Sequence, residues 1–214
     1  LVLVDLFLAK RQSAADTGTA GAIFAAAALE FAERGFDAAG VDRIATRAGV
    51  NKAMLYYHFG SKKALYTEVL RDMFRAVGAR ARAIADAPGP AGDKLDAWIS
   101  TIIEQAAARP WFPPIMLREL ASGAPRLDPD TFAMMNVVYG AVRDIVAQGQ
   151  REGVFADVDP LMTHLTIMPP ILIYFARERV LAAHHEHGGV AAPRRLDEFV
   201  VHMRRAARKM VSNT

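Results

Sequence analysis

Apolar residues recur three and four positions apart through most of the chain, and no run alternates apolar with polar residues in the way a half-buried strand does. The spacing predicts a first helix over 20–34, with Ile23, Ala26, Ala27 and Phe31 on one side and Gly35 as its end signal. Two short helices follow, 42–48 and 52–59, separated by Gly49, Val50 and Asn51. Ser61 is placed to cap a longer helix over 62–85. Beyond residues 87–93, which hold two prolines and two glycines and are the best candidate junction between a small N-terminal module and a larger C-terminal one, helices are expected over 93–108, 113–121, 128–151, 159–185 and 194–211. Asp159 before Pro160 reads as a cap followed by a proline at the first helical position, and Pro169 with Pro170 predicts a bend in the same helix. The fold class is all-α.

The short second helix of the pair separates its side chains by face. At about 100° per residue, Leu55 and Phe59 fall on one side. Ala53 and Tyr57 lie opposite, with Lys52, Tyr56, Met54 and His58 on the flanks. Helix, glycine-containing turn, helix is the arrangement in which the second helix can enter the DNA major groove. Two phenols, an imidazole and an ammonium on one face suit phosphate and base-edge contacts.

Charge sharpens this picture. The 214 residues carry a net charge of only +3, yet residues 43–63 contain Arg43, Arg47, Lys52, Lys62 and Lys63 and no acid. A second basic excess, Arg194, Arg195, Arg204, Arg205, Arg208 and Lys209 against Asp197 and Glu198, reads as a solvated helix face. Hydrophobic residues make up 52% of the chain and charged residues 23%, which excludes a disordered chain. Cysteine is absent, which removes disulfides, thiolate nucleophiles and cysteine-ligated metals and agrees with a cytoplasmic location.

Residues 1–9 are apolar, but their basic pair follows the apolar stretch, unlike a secretory signal. Residues 1–18 are read as a leader or N-terminal arm, disordered or added in cloning. The longest later apolar run, 167–176, is about half of the ~20 residues a membrane-spanning helix needs, so no membrane partner is expected.

The segment 20–65 strongly resembles the DNA-binding domain of the TetR/AcrR family of bacterial repressors. FAERGF, DRIATRAGV, LYYHF and SKKAL occur in order and at the family's spacing, with Ala53 standing where many members have glycine. The resemblance implies a three-helix helix-turn-helix domain at 19–66, joined by a long helix to a helical ligand-binding and dimerisation domain at 67–214. It implies phosphate contacts from Tyr56, His58 and Lys62, with Lys52, Ala53 and Tyr57 nearest the bases and Thr46 and Arg47 adding contacts. The alternative reading of Tyr56 is packing against a neighbouring helix. Ala53 can offer only an apolar contact, such as to a thymine methyl, which leaves direct readout to Tyr57 and Lys52.

The partners so implied are a palindromic double-stranded operator, a second copy of the chain and a small, largely apolar effector. The two last helices would form the dimer seam, using residues 161–176 with Phe199, Val200, Met203 and Met210, or else these side chains are core. Aromatic and thioether side chains suited to an adaptable cavity are Trp98, Trp111, Phe112, Met116, Met134, Met135, Tyr139, Met168 and Tyr174. Glu119 and His164 are polar groups able to orient a ligand, although a satisfied buried histidine is the alternative for His164. Arg118 and Arg143 read as exposed partners of acids. His184, His185, Glu186 and His187 lack the paired spacing of a metalloprotease helix and read as a helix end before Gly188. No metal site, cofactor or catalytic residue is assigned, and the function expected is a ligand-responsive repressor. The alternative is a small-molecule binding protein with a vestigial DNA module.

Overall fold

In a computed structural model of the chain, residues 2–183 and 196–212 are described, with side chains described over 18–177 and 196–212. Among the described residues the elements are all helical: α1 (Val2–Ala38), α2 (Val41–Ala48), α3 (Lys52–Phe59), α4 (Lys62–Asp86), α5 (Ala91–Ala108), α6 (Phe112–Ala121), α7 (Pro129–Arg151), α8 (Pro160–Ala183) and α9 (Leu196–Val211). α1 begins well before the expected start at residue 20, in a stretch with no proline and a single glycine. Its regular backbone is interrupted at Gly35, whose φ of 75° is a left-handed value that a side chain would resist. No helix of the described residues is long and apolar enough to cross a membrane.

The chain forms two compact units, 1–70 and 71–214, with the boundary inside α4. The Pro/Gly-rich segment 87–93 is therefore not the junction. It is tied into the second unit, where the Ala91 amide donates to Glu152 (3.1 Å), the Gln148 amide donates to the Gly89 carbonyl (2.9 Å) and Lys94 donates to both Ala85 and Gln148 (3.0 and 2.8 Å).

The first unit is built on Ile23, Ala27, Phe31, Ile44, Leu55, Leu65 and Val69, all fully buried. Phe31 meets the edge of Tyr66 with ring centres 4.8 Å apart. In the second unit Leu95, Trp98, Ile99 and Ile103 of α5, Ile115 of α6, Ile145 of α7 and Ile171 of α8 form the core. At about 1.5–3 kcal/mol for each large apolar side chain removed from water, such layers supply most of the folding free energy.

Three helix starts are fixed by their own side chains. Ser61 Oγ accepts from the Ala64 amide (3.0 Å), Asp128 from Thr131 (2.7 Å) and Asp159 from Met162 (2.8 Å). α8 continues through Pro169 and Pro170, which have no N–H to offer the carbonyls of Leu165 and Thr166.

The C-terminal basic excess is only partly a solvated face. Arg208 bonds to Asp93 and Asp96, and Arg204 donates to Ser100 (2.7 Å), so both pin α9 to α5. Met203 is core, contrary to a place in the dimer seam, because the α9 face carrying Met203, Ala207 and Val211 is the buried one. Arg194, Arg195 and the stretch His184 to His187 lie outside the described residues.

Candidate nucleic-acid interface

α2 ends at Gly49, whose φ of 68° turns the chain while its amide bonds back to α2. The Val50 amide reaches the Ala45 carbonyl (3.0 Å). Asn51, which the sequence placed merely in the turn, caps α3 by accepting from the Ala53 amide (2.9 Å). α3 covers the same eight residues, 52–59, that the spacing predicted.

Its faces divide as the wheel requires. Leu55 is fully buried, Met54 and Phe59 are half-buried, and Lys52, Ala53, Tyr56 and Tyr57 are exposed, Tyr57 by 70% and Tyr56 by 45%. His58 is half-buried, its ring 5.0 Å from that of Tyr57 and its Nε2 out of solvent, so it presents only part of the imidazole outward. Thr46 is exposed at the end of α2 and its hydroxyl donates to the Asp42 carbonyl (2.9 Å).

The basic island is far less bare than the charge count over 43–63 suggests, because α1 and the first turn of α2 bring acids to it. Arg43 donates to Glu30 (2.6 Å) and to the Ala38 carbonyl, and Arg47 grips both oxygens of Glu33 at 3.1 and 2.9 Å. Lys52 lies 2.9 and 3.2 Å from the two oxygens of Asp42. Lys62 donates to the Asp37 carbonyl (3.2 Å) with its ammonium over the Phe36 ring, 4.6 Å from the centre. Only Lys63 has no recorded partner among the described residues of this group.

Glu30 is buried under this layer. Burial works to raise its carboxyl, but the Arg43 hydrogen bond, the Gly40 amide and the charges of Arg43 and Arg34 outweigh it and hold the pKa below the ordinary value. The hydrogen bonds that Lys52 and Arg47 donate to Asp42 and Glu33 likewise raise both cations above their usual values, so both stay charged throughout the neutral range. Glu30, Glu33 and Asp42 are the residues that sequence reasoning missed. Their signal was the acids just upstream, Glu30 and Glu33 on the helix before the motif and Asp42 at its first turn, all outside the window 43–63 in which charge was counted.

The residues expected to line a ligand cavity fall into separate groups. Trp98, Tyr139 and His164 share one cluster on α5, α7 and α8, with His164 centred 6.1 Å from Trp98 and 5.5 Å from Tyr139. Phe112 meets Phe74 and Trp111 edge-on, and Tyr174 stacks flat on Phe199 at 3.9 Å. Met116 is buried, while Met134, Met135 and Met168 are half-buried. Glu119 is buried and pairs with Arg126 at 3.4 Å. Arg118 is exposed, and Arg143 pairs with its neighbour Asp144. His164 is not the satisfied core histidine allowed by the sequence reading: its Nδ1 is buried with no hydrogen-bond partner among the described residues, and burial pushes its pKa down to about 4. Among the described residues no group of His, Asp and Glu could hold a metal ion.

An eight-residue capped helix set on a glycine turn, with lysine and two tyrosines facing out and one leucine anchoring it, defines a helix-turn-helix DNA-binding protein. The profile of the family described as "Bacterial regulatory proteins, tetR family" matches residues 23–69. The transcriptional repressor NicS of Pseudomonas putida is 31% identical over 156 residues, 72% of this chain and 73% of that protein. The transcriptional activator FasR of Mycolicibacterium smegmatis is 53% identical over 51 residues, 24% of this chain and 23% of that protein. The solved structure of the ketosteroid transcriptional regulator KstR2 of Mycobacterium tuberculosis superposes with a TM-score of 0.73 at 23% identity, over 91% of this chain and 95% of that one, a likeness of fold. The chain belongs to the TetR family of transcriptional regulators, whose members here are regulators rather than enzymes.

Proposed function

We propose that the protein is a ligand-responsive repressor that binds a palindromic operator as a homodimer in the cytoplasm and is released by a small, largely apolar effector. The observation that carries the reading is the outward face of α3, where Lys52, Ala53, Tyr56 and Tyr57 are exposed around a buried Leu55. Lys52, Ala53 and Tyr57 read base edges, while Tyr56, His58 and Lys62 contact phosphates and Thr46 and Arg47 add to them. Residues 19–66 serve as the DNA-binding domain and 67–214 as the helical effector and dimerisation domain.

Support for dimerisation comes from α8 and α9, which expose Leu161, Met162, Leu165, Ile173 and Val201, an apolar area that water leaves unpaired in a single chain. Two-fold pairing sets two recognition helices on one face of the duplex, with half-sites about one helical turn or more apart. Effector binding in the second unit acts through α4, whose first turns belong to the first unit. Such coupling is typically about 1–3 kcal/mol, and operator DNA weakens effector binding by the same factor.

Footprinting of the region upstream of the protein's own gene, with and without candidate effectors, tests this. A protected two-fold site that disappears with effector is the expected result. Binding of a small molecule with no protected site at moderate salt overturns the repressor reading in favour of a ligand-binding protein with a vestigial DNA module. A site whose occupancy increases transcription, as the name of FasR describes for that relative, reverses the sign of control alone.

A further inference from the structure

Two buried nitrogens in the second unit lie in one aromatic cluster, each without a hydrogen-bond partner among the described residues. Trp98 of α5 is fully buried, yet its indole N–H donates to nothing among the described residues. His164 of α8 holds Nδ1 out of solvent in the same condition, with the two ring centres 6.1 Å apart. Tyr139 of α7 closes the third side edge-on, its ring centre 5.5 Å from the imidazole. Buried polar atoms are nearly always paired, so two orphans in one aromatic corner are a strong departure from the rule. Tertiary packing that merely filled space would place Leu or Phe here.

The charge state narrows what fits. Burial alone holds the imidazole in its neutral form, and no carboxylate is close enough to oppose it. An anion entering the corner would be buried without a cation, and a cation would meet an N–H donor and no acid. A neutral imidazole and an indole N–H together are completed by one group that both accepts and donates a hydrogen bond.

Resting on the ligand-responsive reading above, we propose that Trp98, Tyr139 and His164 form the polar subsite of the effector site. It selects an uncharged molecule with an aromatic or other apolar ring that bears a hydroxyl or carboxamide. The oxygen accepts from Trp98 Nε1, the O–H or N–H bonds to His164 Nδ1, and the ring lies against Tyr139. Pro169 and Pro170 withhold hydrogen bonds from the carbonyls of Leu165 and Thr166, the two residues directly after His164, and the proposed effector enters along this stretch of α8.

The test uses the full chain carrying Trp111→Phe, which leaves Trp98 as the single indole. Phenol and benzamide, benzoate, benzylammonium and toluene are titrated against Trp98 fluorescence, and each is added in parallel to the protein bound to its footprinted operator. Phenol and benzamide should bind at least about tenfold more tightly than the other three. His164→Phe should abolish that preference while keeping toluene binding, and His164→Gln, which retains a donor and an acceptor, should restore it. Equal binding of all five probes, or a preference that survives His164→Phe, overturns the subsite. So does the absence of any titration in protein that still binds operator, which would mean a closed corner or one holding a structural water. If the preference holds but no probe and no effector alters operator binding, the subsite stands and the ligand-release reading fails. If effectors release the operator without perturbing Trp98, the reading stands and the subsite falls.

Discussion

Asp42→Asn tests whether the acids beneath the recognition helix restrain its cations. Asp42 is 79% exposed and holds the Lys52 ammonium at 2.9 and 3.2 Å, so in the unbound protein the pair presents no net charge to a phosphate. Asparagine keeps the size of the side chain but removes one negative charge per protomer, hence two in the proposed homodimer. Log affinity for duplex DNA falls against log salt with a slope of about 0.9 per phosphate neutralised, so releasing Lys52 in both protomers steepens the slope by about 1.8. The variant should bind more tightly than the parent at about 0.1 M salt, and its advantage should shrink about 3.5-fold on doubling the salt. Because this effect is charge alone, a random duplex should show the same change in slope as the operator. Fluorescence anisotropy of both labelled duplexes across a salt series measures it. Parallel salt plots, or weaker binding by the variant at low salt, would refute the idea that Asp42 holds Lys52 back and would make the pair a positioning contact for the lysine.

Three further outcomes follow from the packing. Leu55→Ala, which empties the fully buried anchor of α3, should cost about 2–5 kcal/mol in urea denaturation of the first unit and abolish operator binding. Gly149→Ala should destabilise the second unit by about 1–3 kcal/mol, since a Cβ there would come well inside van der Waals distance of three Phe155 ring carbons; an unchanged melting temperature would contradict that packing. His164 is neutral in the fold, with a pKa of about 4 against an ordinary 6.5, so between those values the unfolded chain binds a proton that the native one does not. Stability should therefore be fully retained above about pH 6.5 and fall by up to about 3 kcal/mol as the pH drops toward 4, and His164→Phe should flatten that part of the profile relative to the parent.

What could be read without coordinates was whatever is local along the chain. The limits of α3, the caps at Ser61 and Asp159 and the glycine turn all depend on residues within four positions of each other. The acid partners of the basic island were not legible, because Arg43 meets Glu30 and Arg47 meets Glu33 across 13 and 14 residues, through the packing of α2 on α1. The cavity candidates share a composition but not a place: Tyr174 stacks on Phe199 while Trp98 faces His164, and periodicity on separate helices cannot say which faces meet. Met203 shows the same limit, since its helix has apolar residues on more than one side and only the neighbours decide which side is inside.

The recognition helix is anchored by one deeply buried leucine, by the Asn51 cap at its start and by Gly60 at its end, while the side chains of Lys52, Ala53, Tyr56 and Tyr57 owe the fold almost nothing. Selection can therefore rewrite those four positions without unfolding the domain. A duplicated copy of the gene could drift to a new promoter by a few substitutions in α3 while keeping the core of the second unit, and a separate lineage could do the reverse. Retargeting and retuning are thus open to this chain as independent evolutionary steps.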